Sequence, residues 1–267
     1  MKVGILAGGL GTRLAEETEV RPKPMVEIGG RPILWHIMRH YLRYGFDHFV
    51  IALGYKGEVI KRYVVDYSTY SDSNLTVDMH NGTVEAVMTT EPVSESWTVD
   101  LIETGTSSET GARIKRLAPH LNGSTFMLTY GDGLSDVDLR QLLQFHRAHG
   151  RLVTMTVVHP PARFGKVEIE GDAVVRFTEK PQFAGEFGPQ VGEGWINGGF
   201  FVMEPGALDY IDDDPSTKWE LGPLEGLAKD GELMAYRHAS FWQCMDTLRD
   251  RKMLESLWDH GNPPWTI

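Results

Sequence analysis

Three glycines follow directly on an apolar run in Leu6-Ala7-Gly8-Gly9-Leu10-Gly11-Thr12-Arg13-Leu14. Without Cβ atoms, such a loop lets main-chain N–H groups approach an anion closely and gives the chain access to positive φ. Phosphate cradling is the chemistry that fits. Arg13 adds a planar fork of donors suited to a triphosphate, and Lys23 is a cation on stiff backbone between Pro22 and Pro24. Spacing excludes two common phosphate loops. The dinucleotide fingerprint G-x-G-x-x-G would need a glycine where Leu14 stands, and a P-loop would need Lys and a hydroxyl residue where Thr12-Arg13 follow Gly11. Taken alone, the loop also fits a tight turn without a ligand.

The elements that must position these residues begin with Lys2 to Ala7, apolar enough for a buried strand. Ile33, Leu34, Ile37, Met38, Tyr41 and Leu42 then recur at helical spacing up to Gly45, and His48 to Leu53 is a second buried strand. Such a βαβ unit requires a right-handed crossover and a parallel sheet with helices on its faces. The same alternation predicts helices near 57–67, 108–121 and 136–149, and strands near 99–103, 125–130 and 152–158; the strand at 125–130 runs into Gly131-Asp132-Gly133. Beyond that point the alternation fails. The spacing predicts a hairpin over 166–169 and 173–178, a glycine-rich stretch over 182–194, a strand over 195–203 and a last helix over 247–260. The fold class is therefore α/β, doubly wound around a mostly parallel sheet, with a small antiparallel elaboration, in a single domain over residues 1–267.

Composition narrows the function classes. With 267 residues, 41% hydrophobic and 24% charged, the chain is an ordinary globular one, which excludes disorder and fibrous repeats. Its 26 Lys and Arg against 37 Asp and Glu leave a net charge of -11, which argues against a nucleic-acid partner while permitting a local basic pocket. The single cysteine, Cys244, excludes an intrachain disulfide and fits a reducing compartment, so a cytoplasmic location is expected. No run approaches the ~18–20 consecutive apolar residues of a membrane span, and the first residues lack the grammar of a cleavable signal, so no membrane partner is expected.

The segment Leu6 to Leu14, with Pro22-Lys23-Pro24-Met25, resembles the signature of the sugar-1-phosphate nucleotidylyltransferases. The likeness continues through Gly131-Asp132-Gly133, Glu179-Lys180-Pro181, Asn197-Gly198-Gly199 and Trp219-Glu220, and so spans nearly the whole chain. Within that family the glucose-1-phosphate cytidylyltransferases are the most similar, on Met25 to Met38, Gly54 to Gly57, Thr104-Gly105 with Ser108, Thr110 to Arg113, and Phe241 to Asp250.

The resemblance implies a Rossmann-like nucleotidyltransferase fold. It also implies attack by a sugar-phosphate oxygen on the α-phosphorus of a nucleoside triphosphate, with pyrophosphate leaving in line. Catalysis of that kind is positioning plus electrostatics from Mg²⁺, Lys and Arg. Mg²⁺ takes one or two carboxylates with phosphate oxygens and water, and the resemblance gives it Asp132 and Asp246. Arg13 would hold the β- and γ-phosphates, Lys23 the nucleotide or transferred phosphate and Lys180 the sugar phosphate, so that Arg13, Lys23, Asp132 and Lys180 form the catalytic set. Leu6, Gly8, Gly9, Gly11, Thr12, Ser108, Arg113 and Gly131 are expected around the nucleotide. Glu179 and Asn197 are expected at sugar hydroxyls, with Trp195 and Trp219 as apolar walls. Residues 1–150 would mainly bind the nucleotide, CTP, and 151–267 mainly the sugar, glucose 1-phosphate, in a homo-oligomer.

Three departures from the family pattern fall near base and sugar contacts: Ala112 before Arg113, Leu221-Gly222 after Glu220, and the long 182–194 stretch. The alternative is the same reaction with GTP, UTP or dTTP, or with a larger sugar 1-phosphate. A catalytically silent sugar-nucleotide-binding regulator should have lost a metal carboxylate or a phosphate cation, yet Asp132, Asp246, Arg13, Lys23 and Lys180 are all present. The absent third glycine disfavours an NAD(P)-dependent dehydrogenase. His36 and His40 have the spacing of helical zinc ligands but no third ligand, and Cys244 reads as a buried thiol.

Overall fold

A computed structural model describes residues 1–11, 14–70, 73–78, 83–88, 96–121, 123–160, 166–170, 173–178 and 194–266. Thr12, Arg13, Glu179 and Lys180, each given a substrate contact above, lie outside the described residues. In chain order the elements are β1 (Lys2–Leu6), α1 (Ala15–Thr18), β2 (Glu27–Ile28), β3 (Arg31–Pro32), α2 (Ile33–Arg43), β4 (His48–Leu53), α3 (Gly57–Tyr70), β5 (Ser73–Asp78), β6 (Thr83–Met88) and β7 (Thr98–Glu103). There follow α4 (Thr110–Leu121), β8 (Phe126–Tyr130), β9 (Gly133–Ser135), α5 (Leu139–His149), β10 (Val153–Val158), β11 (Lys166–Glu170) and β12 (Ala173–Thr178). The last are β13 (Ile196–Met203), α6 (Pro223–Lys229), β14 (Leu233–His238), β15 (Trp242–Cys244) and α7 (Leu248–Asp259).

Seven strands form the central sheet in the order β14-β10-β13-β8-β1-β4-β7. β8, β1, β4 and β7 are mutually parallel, β10 and β14 are parallel to each other, and β13 runs antiparallel to both β8 and β10. The sheet is covered on both faces because alternate residues of its strands are apolar on both sides. Phe49 and Ile51 of β4 join one core with Ile33, Ile37 and Tyr41 of α2, whereas Val50 and Ala52 join another with Ile114, Leu117 and Leu121 of α4. β11 and β12 form the expected antiparallel hairpin.

Two local features differ from the sequence pattern, and both matter to the site. The helix expected from 136 starts at Leu139, because the Asp138 carboxylate accepts from the Arg140 and Gln141 N–H groups, each at 2.9 Å. That leaves room for β9, whose Gly133 pairs with Cys244 of β15. At the last helix, Thr247 is the N-cap and Asp250 completes a capping box, so Asp246 is not consumed as a cap. The edge strand β14 and the hairpin β5–β6 have no counterpart in the sequence pattern.

His36 spends both ring nitrogens on packing: Nε2–H donates to the Ile28 carbonyl at 2.8 Å and Nδ1 accepts from the Trp265 indole at 3.2 Å. Burial pushes its pKa down to about 4, and the same holds for His40. Both are core histidines. No helix among the described residues is long and apolar enough to cross a membrane.

Candidate active site

The strand ends of the parallel half build the floor of the site. Leu6 O accepts from Gly131 N at 3.0 Å and Ala7 N donates to Ala52 O at 3.1 Å, so the glycine loop leaves the sheet between the ends of β4 and β8. Ligands bind in open α/β sheets at this carboxyl end of the strands. A Cβ on Gly131 would lie 2.8 Å from the Leu6 carbonyl oxygen, and one on Gly8 would lie 2.1 Å from Arg113 Nη1. Both glycines are thus needed for close approach.

The Arg113 guanidinium is buried at 3% exposure. It donates to the carbonyls of Leu53 (3.1 Å), Gly105 (2.9 Å) and Gly8 (2.9 Å) and to the Thr104 hydroxyl (2.8 Å). Burial, with Arg116 nearby, pulls its pKa down, though an arginine stays protonated at neutral pH. The Gly8 carbonyl also accepts from Tyr55 N at 3.2 Å. In a trans peptide the carbonyl and the following N–H point in opposite directions, so anchoring the Gly8 carbonyl turns the Gly9 N–H away from Arg113.

Lys23 sits in a 3-10 turn over Lys23–Met25 whose Pro24 and Met25 are buried, which fixes the root of its side chain. Its ammonium lies 2.6 Å from Asp132 Oδ2 and 2.6 Å from Asp246 Oδ1. Burial would lower the Lys23 pKa, but attraction and hydrogen bonding from Asp132 and Asp246 outweigh it and hold the pKa above its ordinary value. The carboxylates come from distant parts of the chain. They meet because β9 pairs with β15 and because Met245 N donates to the Asp132 carbonyl at 2.8 Å. Cys244 Sγ lies 3.7 Å from Asp246 Oδ2. Burial, reinforced by the neighbouring carboxylates, pushes its pKa up to about 12.

These groups line one cleft of about 440 Å³. It brings together Leu6, Gly8, Gly9, Gly11, Lys23, Ser108, Arg113, Gly131, Asp132 and Asp246 of the expected residues. Asn197 stands one contact behind, donating from Nδ2 to the Tyr130 hydroxyl at 3.2 Å. Trp195 is 41% exposed, its ring centroid 3.9 Å from that of His159. Trp219 is fully buried against Phe201, so it is a core residue beneath the cleft and its neighbour Glu220 is the one that faces it. Tyr130, Glu109, Thr110 and Glu220 also line the cleft without having been given a role. Tyr130 directly precedes Gly131-Asp132, a signal that could have marked it; the Tyr130–Glu220 contact joins positions that no local pattern connects.

One cation already fits between Asp132 and Asp246, and their oxygens are hard donors of the kind Mg²⁺ prefers. Among the described residues no group of three or more His, Cys, Asp or Glu could cage a metal, so an ion here would need substrate oxygens or water to complete its shell.

A family profile described as nucleotidyl transferase matches residues 2–242. The glucose-1-phosphate cytidylyltransferase of Salmonella typhi is 49% identical over 266 residues, covering 99% of this chain and 98% of the relative. Mannose-1-phosphate guanylyltransferase 1 of Arabidopsis thaliana is 30% identical over 266 residues, covering 96% of this chain and 66% of the relative. Among solved structures, HddC from Yersinia pseudotuberculosis complexed with GMP-PN superposes with a TM-score of 0.66 at 25% identity, covering 96% and 99% of the two chains.

Proposed function

Since the chain belongs to the nucleotidyl transferase family, we propose that it joins CTP and glucose 1-phosphate into CDP-glucose and pyrophosphate. The observation that carries the reading is the convergence of Lys23, Asp132 and Asp246 at one end of a cleft floored by the glycine loop. The near full-length identity to a glucose-1-phosphate cytidylyltransferase supports the choice of base and sugar.

The sugar-phosphate oxygen attacks the α-phosphorus as the bond to the β-phosphate oxygen breaks. The protein need only align two anions and neutralise charge on the leaving group. The Gly9 N–H, turned away from the anchored Gly8 carbonyl, is a donor for a phosphate oxygen. Asp132 and Asp246 would hold Mg²⁺, whose chemistry is to neutralise the developing charge. The flexible stem of Lys23 lets its ammonium serve the transferred phosphate, and Arg13 is assigned to the leaving pyrophosphate and Lys180 to the sugar phosphate. The protein is assigned a homo-oligomeric state, measurable by light scattering.

A pyrophosphate-release panel of CTP, UTP, dTTP, GTP and ATP against several sugar 1-phosphates with Mg²⁺ tests the reading. The expected result is the highest kcat/KM for CTP with glucose 1-phosphate, and a higher value for another pair would replace both substrates. The division of labour has its own test in isothermal titration. Lys180→Ala should weaken sugar-phosphate binding by about 1.5–3 kcal/mol, the scale of hydrogen bonds to charged groups, with nucleotide affinity nearly unchanged. Lost nucleotide affinity instead would overturn the assignment of residues 151–267 to the sugar phosphate.

A further inference from the structure

Glu220 is held in the cleft by a set of contacts that the reaction as described does not use. Its neighbour Trp219 is fully buried, and Trp219 N donates to the Thr110 hydroxyl at 2.9 Å. The segment before it docks on the start of α4, with Ala112 N donating to Thr217 O at 3.1 Å and Glu109 N to Pro215 O at 2.9 Å. The backbone at Glu220 is therefore set by the core. Its carboxylate is oriented as well: Oε1 accepts from the Tyr130 hydroxyl at 2.6 Å and Oε2 from the Thr110 hydroxyl at 2.7 Å.

An ionised carboxylate has about four acceptor sites, so one oriented by two hydroxyls retains about two for a ligand. Glu220 is exposed, faces the cleft, and has no ion pair among the described residues. An acceptor-only anion repels phosphate and recognises donors, and two free lone pairs on one rigid carboxylate match two neighbouring hydroxyls. Position selects sugar over base. Tyr130, which holds Oε1, is two residues from Asp132 at the phosphate end of the cleft. In a nucleotide or a sugar phosphate the ring bonded to phosphate is a sugar, whereas a base lies one ring further away.

We infer that Glu220 reads a pair of neighbouring sugar hydroxyls and so determines specificity, an inference that rests on the nucleotidyl-transfer reading of the same cleft. The pair belongs either to the ribose of the nucleotide or to the pyranose of the sugar phosphate, and deoxy analogues separate the two sources. The experiment compares wild type with Glu220→Gln, using CTP against 2′-deoxyCTP and glucose 1-phosphate against its 2-, 3- and 4-deoxy analogues. For one native substrate, Glu220→Gln should lower kcat/KM roughly 10- to 100-fold, mainly through KM, as expected when a charge-assisted hydrogen bond is lost. The deoxy analogue of that substrate should change less than threefold.

A loss confined to the nucleotide arm identifies ribose as the source, and one confined to the sugar-phosphate arm identifies the pyranose. Tyr130→Phe, which removes one orienting donor but leaves the carboxylate, should shift the same substrate in the same direction by a smaller factor. Equal losses for native and deoxy substrates, no loss at all, or a change confined to the CTP/UTP ratio would overturn the inference. If wild type turns over no nucleotide and sugar-phosphate pair, the reaction itself is misread; active wild type with an indifferent Glu220→Gln defeats this inference alone.

Discussion

Two cations lie under the same cleft and are used in opposite ways. Arg113 is buried, and its Nη1 and Nη2 groups donate to fixed oxygens of Gly8, Leu53, Thr104 and Gly105. Among the described residues, the Lys23 ammonium bonds two carboxylates, both on the cleft wall. A guanidinium is a rigid planar fork that matches several fixed acceptors at once, whereas an ammonium is a point charge on a flexible stem that can exchange partners. Burial of Arg113 among carbonyls makes it a pin for the loop. The carboxylate partners of Lys23 make it part of an exchangeable charge cluster.

The largest effect should follow from emptying the exchangeable cluster. Asp132→Asn with Asp246→Asn should lower pyrophosphate release by roughly 10³-fold or more, since a catalytic ion contributes several kcal/mol. The melting curve should remain cooperative, because the amides preserve shape. Wild-type rates in the double variant at ordinary Mg²⁺ would end the assignment of these two residues.

Arg113→Met should act on stability first. It orphans carbonyls that an arginine fork satisfied, at about 1–3 kcal/mol for each buried group left unpaired, and urea unfolding should therefore show a loss of about 3 kcal/mol or more. Weaker nucleotide binding should accompany it as the Gly8 carbonyl is released. Wild-type stability combined with lost nucleotide affinity would mean that the guanidinium contacts nucleotide directly, and the contrast with Lys23 would fall.

Lys23→Met should separate two properties of one side chain. Nucleotide binding should weaken, while titration with Mn²⁺ in the absence of nucleotide should become tighter by roughly tenfold, because the competing cation between the carboxylates is gone. If the variant binds bare Mn²⁺ no better than wild type, the ammonium and the ion do not compete for the same oxygens.

The smallest effect concerns Cys244 at the edge of that cluster. With its pKa raised from 9.0 to about 12, the thiolate fraction near pH 8 is lower by roughly 10³-fold, so iodoacetamide should label the folded protein far more slowly than the urea-unfolded chain. The sign is that of a neutral thiol protected up to high pH. Rapid labelling of the folded protein would show that the carboxylates beside it do not act as described.

Much of this molecule is legible along the chain. Burial of one face of a strand or helix is a local property, so Lys2–Leu6, Ile33–Arg43 and His48–Leu53 could be read from apolar spacing, and Gly8 from the loop it opens. β14 escaped because its residues Leu233 to His238 are mixed in burial, and it is a strand only by lying beside β10. The three-residue ribbons β9 and β15 are too short to carry any period, yet their pairing is what carries Asp132 to Asp246. Its two flanking prolines marked Lys23, and the family resemblance marked Arg113, Asp132 and Asp246, as groups that could do chemistry. Which of them would be a buried pin, which would share a cation and which hydroxyls would aim Glu220 was decided by the tertiary structure, because hydrogen bonds and ion pairs form by distance in space and sequence spacing does not encode that distance.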